Sequence, residues 1–146
     1  MAFTFEKKVR FGEIDQAGIV YYPQVFNYYH LAMEDFFERA VGVPYPEVIK
    51  AWKVGFPTVH VEADFTQPLQ YGDEISITLT VSKLGRSSVR MHYVVRRQDG
   101  RICAEAQLTT VCVDMDTFRS RHIPEAIRKV LQQHLDGGEP EQGALV

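Results

Sequence analysis

The sequence is poor in the features that mark several large classes of protein. It has only two cysteines, Cys103 and Cys112, too few for a disulfide framework and without the spacing of metal ligands. No stretch approaches the roughly 18 consecutive apolar residues of a membrane-spanning helix. The charged N-terminus lacks the apolar core of a signal peptide. These absences predict a cytoplasmic protein with no membrane segment.

The chain also lacks an excess of positive charge. Its 16 Lys and Arg residues face 19 Asp and Glu residues, giving a formal net charge of −3, so nucleic acid is not an expected partner. The 146 residues, 45% of them hydrophobic and 24% charged, fit one ordinary globular domain. We predict a single domain over residues 1–135 and a disordered tail over 136–146, which is rich in Gly, Pro and Glu.

What the sequence has in unusual density is aromatic residues, seven of which lie between positions 21 and 37. A helix is predicted from Gln24 to Val41, with Pro23 suited to its first turn and Gly42 to its end. Apolar side chains cover most of its circumference, so it must be buried on nearly every side. The cluster therefore indicates a buried central helix rather than an aromatic pocket.

The other segments alternate between apolar and polar residues with a period of two. A strand is predicted over residues 3–10, although Lys7 interrupts its apolar face. Further strands are predicted over 57–66, 75–82, 89–96 and 102–113, and short helices over 44–52 and 124–135. Short turns make the last three strands antiparallel neighbours. We predict an α+β fold, a sheet of about five strands curled around one helix, with a face or edge left for a second copy of the chain.

The loop from Phe11 to Pro23 carries the candidate chemistry. It puts Asp15 shortly before the helix N-terminus, where the first amides lack partners within the helix and the helix dipole is positive. Such amides can stabilise an oxyanion while the carboxylate attacks a carbonyl or activates a water. On residue types alone, turn formation and capping are the commoner uses of an acid at this position.

The run F-G-E-I-D-Q-A-G-I-V-Y-Y-P in this loop resembles the signature of the 4-hydroxybenzoyl-CoA thioesterase branch of the hotdog superfamily. The resemblance continues through G-F-P-T-V and V-D-x-x-T-x-R-x-R-x-I-P, and it covers nearly all of residues 5–130. It implies a hotdog acyl-CoA thioesterase without a metal or an organic cofactor. It also implies a homodimer or homotetramer with active sites between subunits.

The resemblance extends to individual site residues. It makes Asp15 the nucleophile or general base and the backbone N–H of Tyr22 the group that polarises the thioester carbonyl, with Gly18 and Val20 shaping the loop between them. The other implied substrate-binding residues are Thr58, Val59 and His60 on a strand, and Lys83, Arg86 and Ser87 at a basic turn that meets the CoA phosphates. Pro23 replaces the His of many short-chain relatives, which removes one possible acid or base and favours the aryl-CoA-like branch. The resemblance implies an aromatic or short to medium acyl group.

Other ionisable residues have simpler interpretations. Asp35 precedes Arg39 by four residues, the spacing of a helix ion pair. His30 on the polar stripe of the helix is more often hydrogen-bonded structure than a substrate ligand. The alternating His60, Glu62 and Asp64 lack the second His or Cys of a convincing metal site.

Two alternative functions stay open at this point. One is a thioesterase that acts on acyl-carrier protein, for which the region from Lys83 to Arg90 is the only basic patch on offer. The other is a non-catalytic acyl-CoA-binding domain in which Asp15 only caps the loop. The residues alone do not decide between a nucleophilic and a general-base carboxylate.

Overall fold

A computed structural model describes residues 1–136, and a five-stranded antiparallel sheet dominates it. The strands in chain order are β1 (Phe3–Lys8), β2 (Val54–Gly55), β3 (Thr58–Phe65), β4 (Glu74–Leu84), β5 (Ser88–Arg97), β6 (Ile102–Val111) and β7 (Val113–Asp114). The main sheet has the order β1-β4-β5-β6-β3, and β2 pairs separately with β7. Of the predicted tail, only Asp136 belongs to the described residues.

The centre of the sheet is the meander β4-β5-β6, whose strands are antiparallel neighbours as predicted. Alternate residues of β4, from Ile75 to Val81, are buried on one face, which we call the inner face. The predicted strand over 102–113 is interrupted at Cys112, because the chain there leaves β3 and Val113 pairs with Gly55 of β2. Neither edge partner was specified by the sequence: β1 joins β4, and β3 joins β6.

Helix α1 (Tyr22–Phe36) continues as a π-helical turn, Phe37–Val41, and ends at Gly42. Gly42 has a φ of 89°, a left-handed conformation that favours glycine at a helix end. The helix begins two residues before the predicted Gln24, since Pro23 fits the first turn, where no amide donor is needed. One long helical segment therefore runs across the inner face of the sheet.

The aromatic side chains of α1 attach it to the sheet. Tyr28, Tyr29 and Phe36 are fully buried. The Phe36 ring meets Phe3 of β1 edge to face at 5.4 Å, and the Tyr29 ring lies 5.0 Å from that of Tyr93 on β5. The predicted burial of this helix is correct for these residues, whereas Tyr21 and Tyr22 at its start are exposed.

Two short helices complete the described chain, α2 (Tyr45–Lys50) and α3 (Glu125–Gln133). α3 buries Ile127 and Leu131. The backbone after it is hydrogen-bonded to Val81 of β4: the Val81 amide donates to His134 O, and the Asp136 amide donates to Val81 O, both at 2.8 Å. Within residues 1–136, none of the helices combines the length and hydrophobicity needed to traverse a lipid bilayer.

Candidate active site

The loop that carries Asp15 is a closed turn with a fixed backbone. A bridge between Ile14 and Val20 joins its two sides. The Asp15 amide donates to Ile19 O at 2.9 Å, and the Gly18 amide donates to Asp15 O at 2.9 Å. Gly18 has a φ of +83°, a conformation that is strained for any residue with a Cβ. The loop therefore holds Asp15 at a defined position at its tip.

The Asp15 carboxylate is exposed at the surface of the single chain. Its Oδ1 accepts a hydrogen bond from the Ala17 amide at 2.8 Å, which is the turn-forming contact of an aspartate two residues upstream of its donor. Within residues 1–136 this is the only hydrogen bond to the carboxylate, so Oδ2 has no protein partner. The same contact that shapes the loop thus orients a free carboxylate oxygen.

The N-terminus of α1 lies beside this loop and has no side-chain cap among the described residues. The Tyr21 amide donates to Glu13 O at 3.1 Å, and the Val20 amide donates to Leu69 O at 2.8 Å. Pro23 has no amide hydrogen. The amide of Tyr22 is therefore the first unpaired donor at the positive end of the helix dipole.

A cavity of about 470 Å³ lies between α1 and the inner face of the sheet. Most of the side chains around it are apolar or aromatic. From α1 and the turn that follows come Phe26, Tyr29, His30, Met33 and Phe37, and from the β2–β3 region come Phe56, Pro57, Thr58 and Val61. We call it the central cavity, and its size and lining suit a flat apolar group.

A second cavity, of about 260 Å³, touches the start of α1 and includes Ile19, Val20 and Tyr22 in its wall. Phe65, at the end of β3, also lines it. The Phe65 ring lies 6.1 Å from that of Tyr22 and 5.9 Å from that of Phe26. This aromatic row runs from the helix start toward the central cavity.

The predicted site residues form two groups at opposite ends of the main sheet, measured along its strands. Asp15, Gly18, Val20 and Tyr22 share the end where β4 begins, because Val9 pairs with Asp73 just before the loop. The other group occupies the end where β4 finishes: Thr58, Val59, His60, Lys83, Arg86 and Ser87. β4 has 11 residues and so spans roughly 35 Å. A single chain therefore does not bring the two groups together.

The three predicted residues of β3 do not point the same way. Thr58 lines the central cavity, whereas Val59 and His60 do not. The register shifts between Thr58 and His60, and this bulge turns the side chains out of the alternation that the sequence indicates. The His60 ring instead bonds with Glu62 at 3.2 Å.

The predicted basic turn is held by a residue that sequence reasoning missed. Arg128 of α3 donates to Gly85 O at 2.7 Å and to Arg86 O at 2.9 Å. The Cys112 amide donates to Ser87 O at 2.7 Å. The terminal helix and the end of β6 thus fix the backbone of the turn that carries Lys83 and Arg86.

The lining of the central cavity was also missed, except for Thr58 and His30. Phe26, His30, Met33 and Phe37 recur at helical spacing and share one face of the helical segment, a signal present in the sequence. His30 also lies 3.4 Å from Glu34. Residues from β5 and β6 complete the wall, and their approach depends on strand order, which spacing does not reveal.

The described residues outside the loop were also considered as metal ligands, as reactive thiols and as ion pairs. Among the described residues, no group of three or more His, Cys, Asp and Glu side chains is arranged to hold a metal ion. Cys103 and Cys112 are free thiols and are buried. Burial raises the pKa of the Cys112 thiol to about 11, which leaves it protonated and unreactive near neutral pH. Asp35 and Arg39 form the predicted helix ion pair.

The chain is similar in sequence to thioesterases. Residues 9–131 match a family described as the thioesterase-like superfamily. The chain is 33% identical over 140 residues to a 1,4-dihydroxy-2-naphthoyl-CoA hydrolase of Synechococcus sp. (strain WH7803), a match that covers 90% of this chain and 89% of that protein.

Solved structures share the architecture. A 1,4-dihydroxy-2-naphthoyl-CoA thioesterase from Synechocystis superposes with a TM-score of 0.82 at 23% identity, covering 90% of this chain and 96% of that one. A gentisyl-coenzyme A thioesterase superposes with a TM-score of 0.78 at 28% identity, covering 86% and 99%. These similarities confirm the predicted α+β fold.

Proposed function

The chain belongs to the thioesterase-like superfamily and is a thioester hydrolase of the hotdog fold, and we propose that it hydrolyses an acyl-CoA with an aromatic acyl group. The observation that carries this choice is the central cavity, about 470 Å³ and lined mainly by apolar and aromatic side chains. A fused or single aromatic ring fits such a volume and polarity. The named relatives that act on 1,4-dihydroxy-2-naphthoyl-CoA and gentisyl-CoA support an aryl group.

The proposed chemistry uses one carboxylate and one amide. The Tyr22 N–H hydrogen-bonds to the thioester oxygen and stabilises the negative charge that develops there. Asp15 either attacks the carbonyl carbon, giving an acyl-aspartyl anhydride that water then cleaves, or removes a proton from the attacking water. In both routes the C–S bond breaks, CoA leaves as a thiolate and the carboxylic acid is released. A thiol leaves readily near neutral pH because its pKa is about 8.5.

We further propose that two copies of the chain complete the site. β3 is an edge strand, and an antiparallel partner is the natural way to extend such an edge. When two β3 strands pair about a two-fold axis, the Phe65 end of each chain lies beside the Thr58 end of the other. Asp15 and Tyr22 of one copy then face the Thr58 side of the other copy's central cavity.

The same arrangement accounts for the CoA moiety. The turn with Lys83 and Arg86 lies at the Thr58 end of its own chain, and so on the Asp15 side of the partner. The exposed Arg86 and the half-buried Lys83 are cations that suit the phosphates of CoA. We also propose that the chain belongs to the 4-hydroxybenzoyl-CoA branch, that its activity depends on Asp15, and that it forms a homodimer or homotetramer. We propose a cytoplasmic location as well, which fractionation of cells that produce the full chain would check.

The primary test is hydrolysis of a panel of acyl-CoAs by the wild type and by Asp15→Asn. We expect aryl-CoAs to be the best substrates and Asp15→Asn to lower kcat by more than about a hundredfold. Asp35→Asn, which removes a carboxylate from the exposed helix ion pair, is the matched control. A folded Asp15→Asn protein that keeps most of its activity would contradict the mechanism. If acyl-carrier-protein thioesters are hydrolysed faster than the matched CoA thioesters, the acyl donor is the carrier protein and not CoA.

Mixing two inactive variants tests whether the site is shared. Met33→Trp fills the central cavity, and Asp15→Asn removes the carboxylate, so each is expected to be inactive alone. After unfolding and refolding a 1:1 mixture, half of the dimers contain both chains and each of these has one intact site of two. Activity should return to about a quarter of the wild-type value. A mixture that stays inactive would show that each site lies within one chain.

A solvent-isotope experiment separates the two roles of the carboxylate. In water labelled with oxygen-18, a single turnover through an acyl-aspartyl intermediate transfers labelled oxygen into Asp15 when water attacks the aspartyl carbonyl. General-base catalysis leaves Asp15 unlabelled. Mass spectrometry of the peptide that contains residues 11–21 provides the readout.

A further inference from the structure

A half-buried cluster of charged and polar groups lies directly beneath the Asp15 loop and has no part in the proposed chemistry. Its centre is Glu13, the last residue of a 3₁₀ turn, Phe11–Glu13. The Glu13 and Lys7 side chains are only 19% and 14% exposed. Charged groups that are this well buried require partners.

The Glu13 carboxylate receives hydrogen bonds from three separate parts of the chain. Lys7 of β1 donates to both oxygens at 2.9 Å. The backbone amide of Arg10 donates to Oε1 at 2.9 Å, and the Tyr28 hydroxyl of α1 donates to the same oxygen at 2.7 Å. The Lys7 ammonium also lies 4.5 Å from the centre of the Tyr28 ring.

The main chain of Glu13 makes a fourth connection, to the start of α1. Its carbonyl oxygen accepts the Tyr21 amide at 3.1 Å, and Tyr21 is the residue immediately before the helix. Glu13 therefore connects the strand before the loop, the body of the helix and the helix start. Asp15 follows only two residues later.

The cluster also explains an anomaly in the sequence. Lys7 occupies an apolar position of β1, where it breaks the alternation of the strand. Its ammonium reaches Glu13 and Tyr28 from there, so the polar residue has partners on the side where α1 lies.

The electrostatics favour an ionised Glu13 carboxylate near neutral pH. Burial by itself raises the pKa of Glu13, but the hydrogen bonds from Arg10, Lys7 and Tyr28, together with the Lys7 charge, outweigh it and lower the pKa overall. Burial and the bond to Glu13 raise the pKa of the Tyr28 hydroxyl, which stays a donor. The cluster thus holds one charge state near neutral pH.

We propose that Glu13 is a positioning residue, which sets the distance between the Asp15 carboxylate and the Tyr22 amide by tying the loop to β1 and α1. This role rests on the proposed function, since it concerns the same two groups. Glu13 does not touch the reacting atoms. It acts because catalysis requires the carboxylate and the amide to face one carbonyl simultaneously, and a displacement of about 1 Å costs up to about a hundredfold in rate.

A graded series of variants tests the proposal. Glu13→Gln keeps an acceptor for the Arg10 amide and the Tyr28 hydroxyl but loses the charge that Lys7 pairs with, whereas Glu13→Ala loses every side-chain bond. We expect kcat on an aryl-CoA to fall up to about tenfold in Glu13→Gln and about a hundredfold in Glu13→Ala, with KM within about twofold of the wild type. Tyr28→Phe, which removes a single donor and keeps the ring, is expected to lower kcat a few-fold.

Amide hydrogen exchange gives a second readout that does not depend on activity. We expect faster exchange over residues 14–21 in Glu13→Ala than in the wild type, while peptides from β4 and β5 remain unchanged. Asp35→Asn, which removes the carboxylate that pairs with Arg39 farther along the same helix, should alter neither exchange in the loop nor kcat.

The outcomes separate the two proposals. A wild type without thioesterase activity would overturn the proposed function, and exchange would still test whether Glu13 holds the loop. Folded Glu13→Ala with wild-type kcat, or with unchanged exchange over residues 14–21, would overturn the positioning role. If Glu13→Ala does not fold, wild-type kcat in both Glu13→Gln and Tyr28→Phe would likewise overturn the positioning role.

Discussion

The two edges of the main sheet are finished in opposite ways. At one edge, β1 is covered by its own chain: Phe3 is buried against α1, and the Arg39 guanidinium lies over the Phe3 ring and donates to Thr4 O. At the other edge, β3 is exposed at every position except Ala63, which is half-buried. Val59, Val61 and Phe65 of β3 are 61%, 43% and 47% exposed.

The difference supports the proposal that a second copy of the chain pairs with β3. Soluble proteins protect exposed edge strands with charge, proline, bulges or a covering segment, because an open edge pairs with other strands. β3 has a bulge at its start, and the exposed apolar side chains of Val59, Val61 and Phe65 alternate with polar or charged residues along the rest. Thr58 and Val61 of β3 also line the central cavity, so under this proposal the added strand lies beside the candidate site.

The largest expected effect comes from placing a charge on the open edge. Val61→Lys is expected to leave a monomer and to lower kcat/KM by more than about a hundredfold, because the two halves of the site separate and the new charge lies in the wall of the central cavity. Thr4→Lys on the closed edge is the matched control and should change neither property. Light scattering and aryl-CoA hydrolysis on the same samples check this. An active Val61→Lys monomer would contradict the shared site.

Truncation of an aromatic residue should distinguish the two edges in stability. Phe3→Ala removes a buried ring and is expected to lower the free energy of unfolding by about 3–4 kcal/mol. Phe65→Ala removes a half-exposed ring and should cost about 1 kcal/mol within one chain. Urea unfolding at several protein concentrations measures both. Phe65→Ala should also make the midpoint depend less on protein concentration than in the wild type, since Phe65 lies at the proposed interface, where unfolding would be linked to dissociation.

Charges on the turn between β4 and β5 should matter for CoA, and charges on the closed edge should not. Arg86→Ala is expected to raise KM about tenfold, the effect of losing a charge-assisted hydrogen bond worth about 1.5 kcal/mol. Lys8→Ala on β1 is the control and should leave KM unchanged. Steady-state kinetics at low and high salt provide the measurement, and the Arg86 effect should shrink as salt increases. Equal KM values for Arg86→Ala and the wild type would remove the turn from the CoA site.

The smallest effect concerns the ion pair that fastens the closed edge to the loop. Because the folded-state pKa of Glu13 lies below its ordinary 4.5, the stabilisation that it contributes is present above pH 4.5 and is lost as the pH falls through the lowered value. Lys7 and Tyr28 are the groups that face it. The stability difference between the wild type and Glu13→Gln, about 1 kcal/mol at pH 7, should therefore narrow toward pH 3. A difference that is constant with pH would contradict this assignment.

The parts of the fold that depend on local pattern could be predicted from the sequence. Alternation along β4 and β5 and the short turn between them determine that these strands are neighbours, and the density of apolar residues around α1 requires its burial. Contacts between distant segments could not be predicted in this way. Nothing in the period of β1 or β3 states which strand each will join, so the contrast between the edges became visible only in the structure.

The candidate site also has parts that local sequence predicts and parts that depend on contacts between distant segments. The position of Asp15 before the helix start follows from their separation in the chain, whereas the central cavity depends on how far α1 lies from β3, β5 and β6. The aromatic cluster was expected to be buried core rather than a pocket, and it is both: Tyr28 and Phe36 are core, while Phe26 and Phe37 line the cavity. Lys7 broke the strand pattern because its partner is Glu13, which periodicity does not encode.

The strand order also has a consequence for the chain during its synthesis. Phe3 pairs with Leu79 and Thr58 with Thr110, so both edge strands and the aromatic helix between them emerge from the ribosome before the strands that receive them. The meander β4-β5-β6 folds from contacts close in sequence, which form fast, and the earlier half of the chain must wait for it. Until β4 and β6 are made, the most apolar part of the molecule is uncovered, which makes the nascent N-terminal half the segment where a chaperone has most to protect.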